Sequence, residues 1–157
     1  METEPPTPPM ATPRVAAGAL FTDEHDRVLL VQPAYKEHWD IPGGYVEPGE
    51  SPLRACIREV GEELGITPPI GGLLVIDWAP ADAEGDKLLF IFDGGALAAD
   101  YLAAIHLDPA ELATHAFHDL TTAGRLLIPR LARRLAAALD AHRTGRPHYL
   151  EHGTPAG

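Results

Sequence analysis

From Arg14 onward the chain alternates between short apolar runs and polar turns, and the period of each run separates strands from helices. RVAAGALF, the polar turn TDEHD and RVLLVQ together predict a hairpin. A loop carrying Tyr35, Lys36, His38 and Trp39 then leads into IPGGYVEPGE, a segment dominated by turn formers. Ser51-Pro52 opens a predicted helix, since serine suits an N-cap and proline the first helical position. Leu53, Cys56, Ile57, Val60 and Leu64 recur at helical spacing as one apolar stripe, and Gly65 supplies the stop. GLLVIDW and KLLFIFD read as strands on either side of the acidic loop APADAEGD. Beyond them, IHL reads as a short strand and PAEL as a helical turn. LLIPRLARRLAAALDAHR is an amphipathic helix, with Pro129 near its start and Gly145 just past its end. The terminal HYLEHG either adds an edge strand or covers a site. Residues 1–13, with five prolines and no apolar period, are expected to be a disordered tail, leaving 14–157 as a single domain.

Composition narrows the class. At 157 residues, 45% hydrophobic and 22% charged, the chain has enough material for one ordinary core. Its 23 acids against 12 bases give a formal charge of −11, which argues against duplex nucleic acid as a partner. An acidic protein can still bind a small polyphosphate when a divalent cation lies between the two sets of negative charge. The lone Cys56 excludes an intramolecular disulfide and suits a reducing compartment, and its place on the apolar stripe marks it as a small buried hydrophobe. The N-terminus lacks the basic and apolar regions of a signal peptide, and no run approaches the ~20 apolar residues of a membrane span. A cytoplasmic location with no membrane partner is the expectation.

The chemistry concentrates between Gly43 and Ile66. Glu59, Glu62 and Glu63 stand at i, i+3 and i+4, so they share one helix face. Carboxylates crowded in this way repel one another unless positive charge sits among them. Arg58 and Arg54 can supply part of that charge, and a divalent cation more. On spacing alone, such a face is more often solvated and laced by weak pairs such as Arg58–Glu62. Two features favour chemistry instead: a Gly-Gly turn that exposes backbone carbonyls, and Glu50 just before the N-cap, where the helix dipole favours negative charge. Hard oxygen ligands without cysteine or histidine suit magnesium or manganese rather than zinc.

This segment resembles the Nudix box, a 23-residue loop–helix–loop motif. It runs as Gly44, five residues, Glu50, seven residues, then Arg58-Glu59-Val60-Gly61-Glu62-Glu63-Leu64-Gly65-Ile66, and every defining position is filled. The resemblance implies an α/β/α sandwich with a mixed central sheet. It also implies Mg2+, with Mn2+ as the substitute, held by Glu59, Glu62, Glu63 and the backbone carbonyl of Gly43. Arg58 would orient these carboxylates, and Glu50 would support the site or ligate through water. Trp39, Gly44 and Asp100 are the substrate-side candidates, and a homodimer is expected, with Trp78 or the last helix at its interface.

The implied reaction is attack of water on the pyrophosphate of a nucleoside diphosphate linked to another group X, such as a sugar or the ribose of ADP-ribose. A house-cleaning hydrolase of oxidised dNTPs is the alternative, and a Nudix-fold binding module without catalysis is a third reading. An isoprenoid diphosphate isomerase shares the fold, but no cysteine outside the helix supports it. Glu59 is the first candidate for general base. Where family members take the base from a loop, the candidates here are Asp100, Asp82, Glu84 and Asp86. His115 and His118 are three apart without a zinc pattern and read as ordinary histidines.

Overall fold

The computed structural model describes residues 3–156. Residues 3–13 form neither helix nor strand and are almost entirely exposed, whereas the first two residues of the expected tail lie outside the described residues. Among the described residues the chain builds eight strands and four helices from Arg14 onward. These are β1 Arg14–Thr22, β2 Val28–Pro33, β3 Gly43–Tyr45, α1 Pro52–Leu64, β4 Leu73–Trp78, β5 Lys87–Ala96, α2 Ala99–Ala104, β6 Leu112–His118, α3 Leu120–Leu126, α4 Pro129–Thr144, β7 His148–Glu151 and β8 Thr154–Pro155.

The strands make one sheet in the order β6-β2-β1-β5-β4-β7-β8, with β3 paired to β1 off this path. β1–β5 and β4–β7 run parallel and the remaining pairs antiparallel, so the sheet is mixed. One face carries α1. Ala55, Cys56, Val60 and Leu64 pack there against Ala17, Ala19, Phe21, Leu29 and Val31. The other face carries α4, whose Leu131, Leu135, Ala138 and Leu139 cover Leu20, Val28, Leu30, Val75 and Ile91. The result is an α/β/α sandwich. Each large side chain buried in this way contributes about 1.5–3 kcal/mol. The expected apolar stripe of α1 is rotated by a fraction of a turn: Ala55 is fully buried, while Leu53 is 38% exposed. The small alanine lets the helix lie close to the alanine-rich β1.

The first hairpin holds only at its turn. Asp23 accepts from the amides of His25 and Arg27 there, but β1 and β2 share the single register pair Thr22↔Val28. Toward its other end β1 pairs with β3 instead, Gly18 facing Gly43 and Ala17 facing Gly44. This splaying admits the Gly-Gly segment into the sheet. The backbones cross so closely that a Cβ on Gly43 would lie 2.4 Å from the Ala17 carbonyl oxygen and 2.6 Å from the Gly18 Cα.

The last third departs most from the sequence pattern. Residues 105–107, expected as a strand, are irregular, and 109–111 form a turn. The strand is β6, immediately after them, paired antiparallel with β2. The short helices α2 and α3 were not anticipated. α4 starts at Pro129 and ends at a left-handed Gly145. HYLEHG takes the edge-strand role, as β7 and the first part of its turn into β8.

A buried ion pair fastens this C-terminal part. Asp77 is fully buried on β4, where it accepts from Arg134 Nε at 2.6 Å and from the Gly153 amide at 3.0 Å. Among the described residues no helix is long and apolar enough to cross a membrane.

Candidate active site

α1 presents the box carboxylates because both of its ends are fixed. The Ser51 side chain accepts from the Arg54 amide at 3.2 Å, and Gly65, at φ 69°, donates its N–H to the Gly61 carbonyl. Burial of Val60 and Leu64 against the sheet then sets the rotation of the helix and turns residues 58, 59 and 63 toward the Gly-Gly segment of β3, with Glu62 exposed beside Arg58.

Glu59 and Glu63, one turn apart, meet that segment at successive residues. The Glu59 carboxylate lies against Gly44, where any Cβ would sit 2.4 Å from its Cδ and 2.6 and 2.7 Å from its oxygens. Glu63 accepts from the Gly43 amide. The glycines therefore have separate reasons to be glycine: Gly43 for the approach of β1, Gly44 for a carboxylate.

Arg58 organises the cluster. Its Nε and Nη2 bind both oxygens of Glu50, at 2.8 and 2.9 Å. Nη1 donates to Glu59 at 3.0 Å and to Glu62 at 3.3 Å, and Nη2 also reaches the Tyr45 carbonyl at 3.1 Å. This fork-to-carboxylate geometry is one that lysine cannot reproduce. The pairing holds the Glu50 carboxyl down at about 2 and raises the affinity of Arg58 for its proton.

The remaining carboxylates lean the other way. Burial, then repulsion by Glu59, pushes Glu63 up to about 8, against the hydrogen bond from Gly43. Burial also raises Glu59 and Asp40. Glu63 Oε2 is buried without a hydrogen-bond partner among the described residues. An orphaned oxygen beside other carboxylates suits a hard cation. Among the described residues no three His, Cys, Asp or Glu side chains converge as a ready-made cage. Arg58 already occupies Glu59 and Glu62, so a cation held here would compete with it for both.

Two acids near this cluster escaped the sequence analysis. Glu111, in the turn before β6, and Asp40, bridged to Val31 ahead of the Gly-Gly segment, both add repulsion at Glu63, and Glu111 also at Glu59. Neither falls within the box or on a periodic face, so spacing alone does not mark them.

Asp100 is exposed in the first turn of α2, and Asp82 and Asp86 are exposed in the β4–β5 turn. Glu84 is engaged by Tyr45, Lys87 and Arg14. Trp39 is half-buried against the α4-side core. Its backbone N–H donates to the Leu126 carbonyl, and its ring meets His118 edge-on at 5.1 Å. His115 and His118 point to opposite faces of β6, as residues three apart on a strand must. Cys56 is buried, and burial pushes its thiol up to about 12, so it is unreactive.

Comparison with known proteins gives a consistent context. The model of the NUDIX domain family matches residues 12–139. Diphosphoinositol polyphosphate phosphohydrolase 2 of Mus musculus is 42% identical over 64 residues, 40% of this chain and 36% of that protein, so the match spans about a third of the relative's length. Among solved structures, a MutT protein from Methanosarcina mazei Go1 superposes with a TM-score of 0.68 at 26% identity, over 87% of this chain and 99% of that one. An ADP-ribose pyrophosphatase from Streptococcus suis 89-1591 gives 0.64 at 23% identity, over 89% and 99%.

Proposed function

The chain belongs to the NUDIX domain family, and on that premise we propose that it is a metal-dependent hydrolase of the pyrophosphate bond in a nucleoside diphosphate linked to a group X. The observation that carries the metal dependence is Glu63, whose buried, unpartnered oxygen beside Glu59 calls for a cation. Glu59, Glu62, Glu63 and the Gly43 carbonyl are the proposed ligands, for Mg2+ or in its place Mn2+. When bound, the ion screens the diphosphate charge and acidifies water.

The chain's own groups account for the rest. Arg58, anchored on Glu50, holds Glu59 and Glu62 in register. Gly44, lacking a side chain, leaves Glu59 room against β3 and lets the diphosphate approach the backbone. Glu59, raised by burial, accepts the proton as the water oxygen bonds to phosphorus. The bridging P–O bond breaks, and the leaving phosphate departs with that electron pair.

Charge bears on what X is. The chain has two lysines, Lys36 and Lys87, and a net charge of −11. A ring carrying many phosphates needs a strongly cationic surface, so a neutral X such as a sugar or ribose fits better than the polyphosphorylated inositol named for the relatives. The test is incubation with magnesium and ADP-ribose, nucleotide sugars, dinucleoside polyphosphates, nucleoside triphosphates including oxidised dNTPs, and a diphosphoinositol polyphosphate, with products separated by chromatography. Magnesium-dependent cleavage is expected first with ADP-ribose or a nucleotide sugar. Preferential release of pyrophosphate from triphosphates would replace that assignment with the house-cleaning one. Tight binding without turnover across the panel would mean a binding module.

A further inference from the structure

The turn joining β4 and β5 lies outside the box, yet it is tied to Arg58 through one residue. Tyr45 ends β3, directly after the Gly-Gly segment. Its carbonyl accepts from Arg58 Nη2 at 3.1 Å, while its hydroxyl donates to Glu84 Oε1 at 2.7 Å. Glu84 sits in a tight turn in which the amides of Glu84 and Gly85 both donate to the Ala81 carbonyl. Its other oxygen takes Lys87, whose ammonium lies 5.6 Å over the Tyr45 ring, and Arg14 stands 3.9 Å from Oε1. Glu84 thus joins the ends of two neighbouring strands, Arg14 on β1 and Lys87 on β5, to the end of a third.

We propose that Tyr45 and Glu84 are positioning residues: by pinning the end of β3, the Tyr45–Glu84 hydrogen bond fixes the carbonyl that orients Arg58, and through Arg58 the carboxylates Glu59 and Glu62. This rests on the metal-site reading above and extends it to a loop with no box residue. The logic is geometric. Arg58 divides its donors among Glu50, Glu59, Glu62 and the Tyr45 carbonyl, so displacement of that carbonyl is shared with every other partner of the same planar fork. Glu84 therefore acts on the reaction from a distance and does not accept a proton from water.

The test measures Mn2+ affinity by electron paramagnetic resonance, together with kcat and KM on the best substrate of the panel and melting temperature. Tyr45→Phe removes only the hydroxyl, whereas Glu84→Ala removes its acceptor together with the contacts to Lys87 and Arg14. Each is expected to weaken Mn2+ binding and lower kcat by about threefold to tenfold, the worth of one hydrogen bond, with KM and melting temperature little changed. Glu84→Gln keeps an oxygen for the Tyr45 hydroxyl and should recover most of the wild-type affinity. The double variant Tyr45→Phe/Glu84→Ala should lose no more than either single one. Wild-type Mn2+ affinity and kcat in both single variants, additive losses, or a fall in melting temperature alone would overturn the proposal. Glu59→Gln serves as the control. If it loses Mn2+ while Tyr45→Phe and Glu84→Ala do not, only the link fails; if it binds Mn2+ as the wild type does, the metal reading fails and the proposal with it.

Discussion

Adding one methyl group to Gly44 should damage the reaction without damaging the fold. A Cβ there lies 2.4 Å from Glu59 Cδ and within 2.7 Å of both carboxylate oxygens, whereas ordinary contact begins at 3.4 Å. The carboxylate must therefore retreat by roughly 1 Å, the difference between 3.4 and 2.4 Å. All three atoms belong to the mobile end of a side chain, so the backbone need not move. Glu59 leaves its 3.0 Å contact with Arg58 and its proposed place as ligand and base. Misplacement on this scale costs about a hundredfold in turnover, equivalent to about 2.7 kcal/mol of transition-state stabilisation. Gly43→Ala is the counterpart. Its Cβ would meet the Ala17 carbonyl and the Gly18 Cα, backbone atoms that cannot step aside, so it should reduce stability by about 1–3 kcal/mol. The assay is kcat and Mn2+ affinity for each variant, beside urea unfolding. Gly44→Ala with wild-type turnover and metal affinity, or with the stability loss assigned to Gly43→Ala, would refute the separate roles of the two glycines.

Other perturbations test other parts of the structure. In metal-free protein, Glu63 is held near 8 in the folded state against an ordinary 4.5, so the unfolded chain releases this proton first; folding stability is intact below 4.5 and declines as pH rises toward about 8. Melting temperature in EDTA should fall across that window, with a shallower fall in Glu63→Gln and in the magnesium-loaded wild type; equal slopes in all three would contradict the assignment. Asp77→Ala leaves the Arg134 guanidinium buried without its partner and should cost about 3–5 kcal/mol in urea unfolding while Mn2+ affinity is retained. A loss below about 1 kcal/mol would show that the pair does not fasten α4. Arg58→Lys cannot span Glu50, Glu59, Glu62 and the Tyr45 carbonyl together, and turnover should drop by about 10- to 100-fold, an effect that wild-type kinetics would exclude.

What the sequence disclosed followed from how local each feature is. The limits of α1 were legible because Ser51, Pro52 and Gly65 satisfy or release backbone groups within a single turn. β4 and β5 were legible from apolar runs bounded by turn formers. The partial hairpin of β1 and β2 was not, because splaying depends on β3, which is only three residues long and mostly glycine. β6 was missed because LATHAFH alternates weakly, and its pairing with β2 joins residues 79 to 90 apart in sequence. α2 has no buried residue and no side-chain cap, so neither periodicity nor a start signal marks it. At the site, spacing showed that Glu59, Glu62 and Glu63 share a face. It could not show that Glu63 Oε2 is buried, that Arg58 binds Glu50 across eight residues, or that Asp40 and Glu111 stand close by, since those are consequences of tertiary packing.

The most direct measurement is the magnesium-dependent rate of diphosphate cleavage by Glu63→Gln beside the wild type, on the best substrate of the panel and with unfolding followed in parallel. Loss of turnover by orders of magnitude in a folded variant is expected, because glutamine keeps the size of the side chain and removes the charge that holds the cation. A folded Glu63→Gln protein that cleaves at the wild-type rate would contradict the placement of metal and chemistry at this cluster.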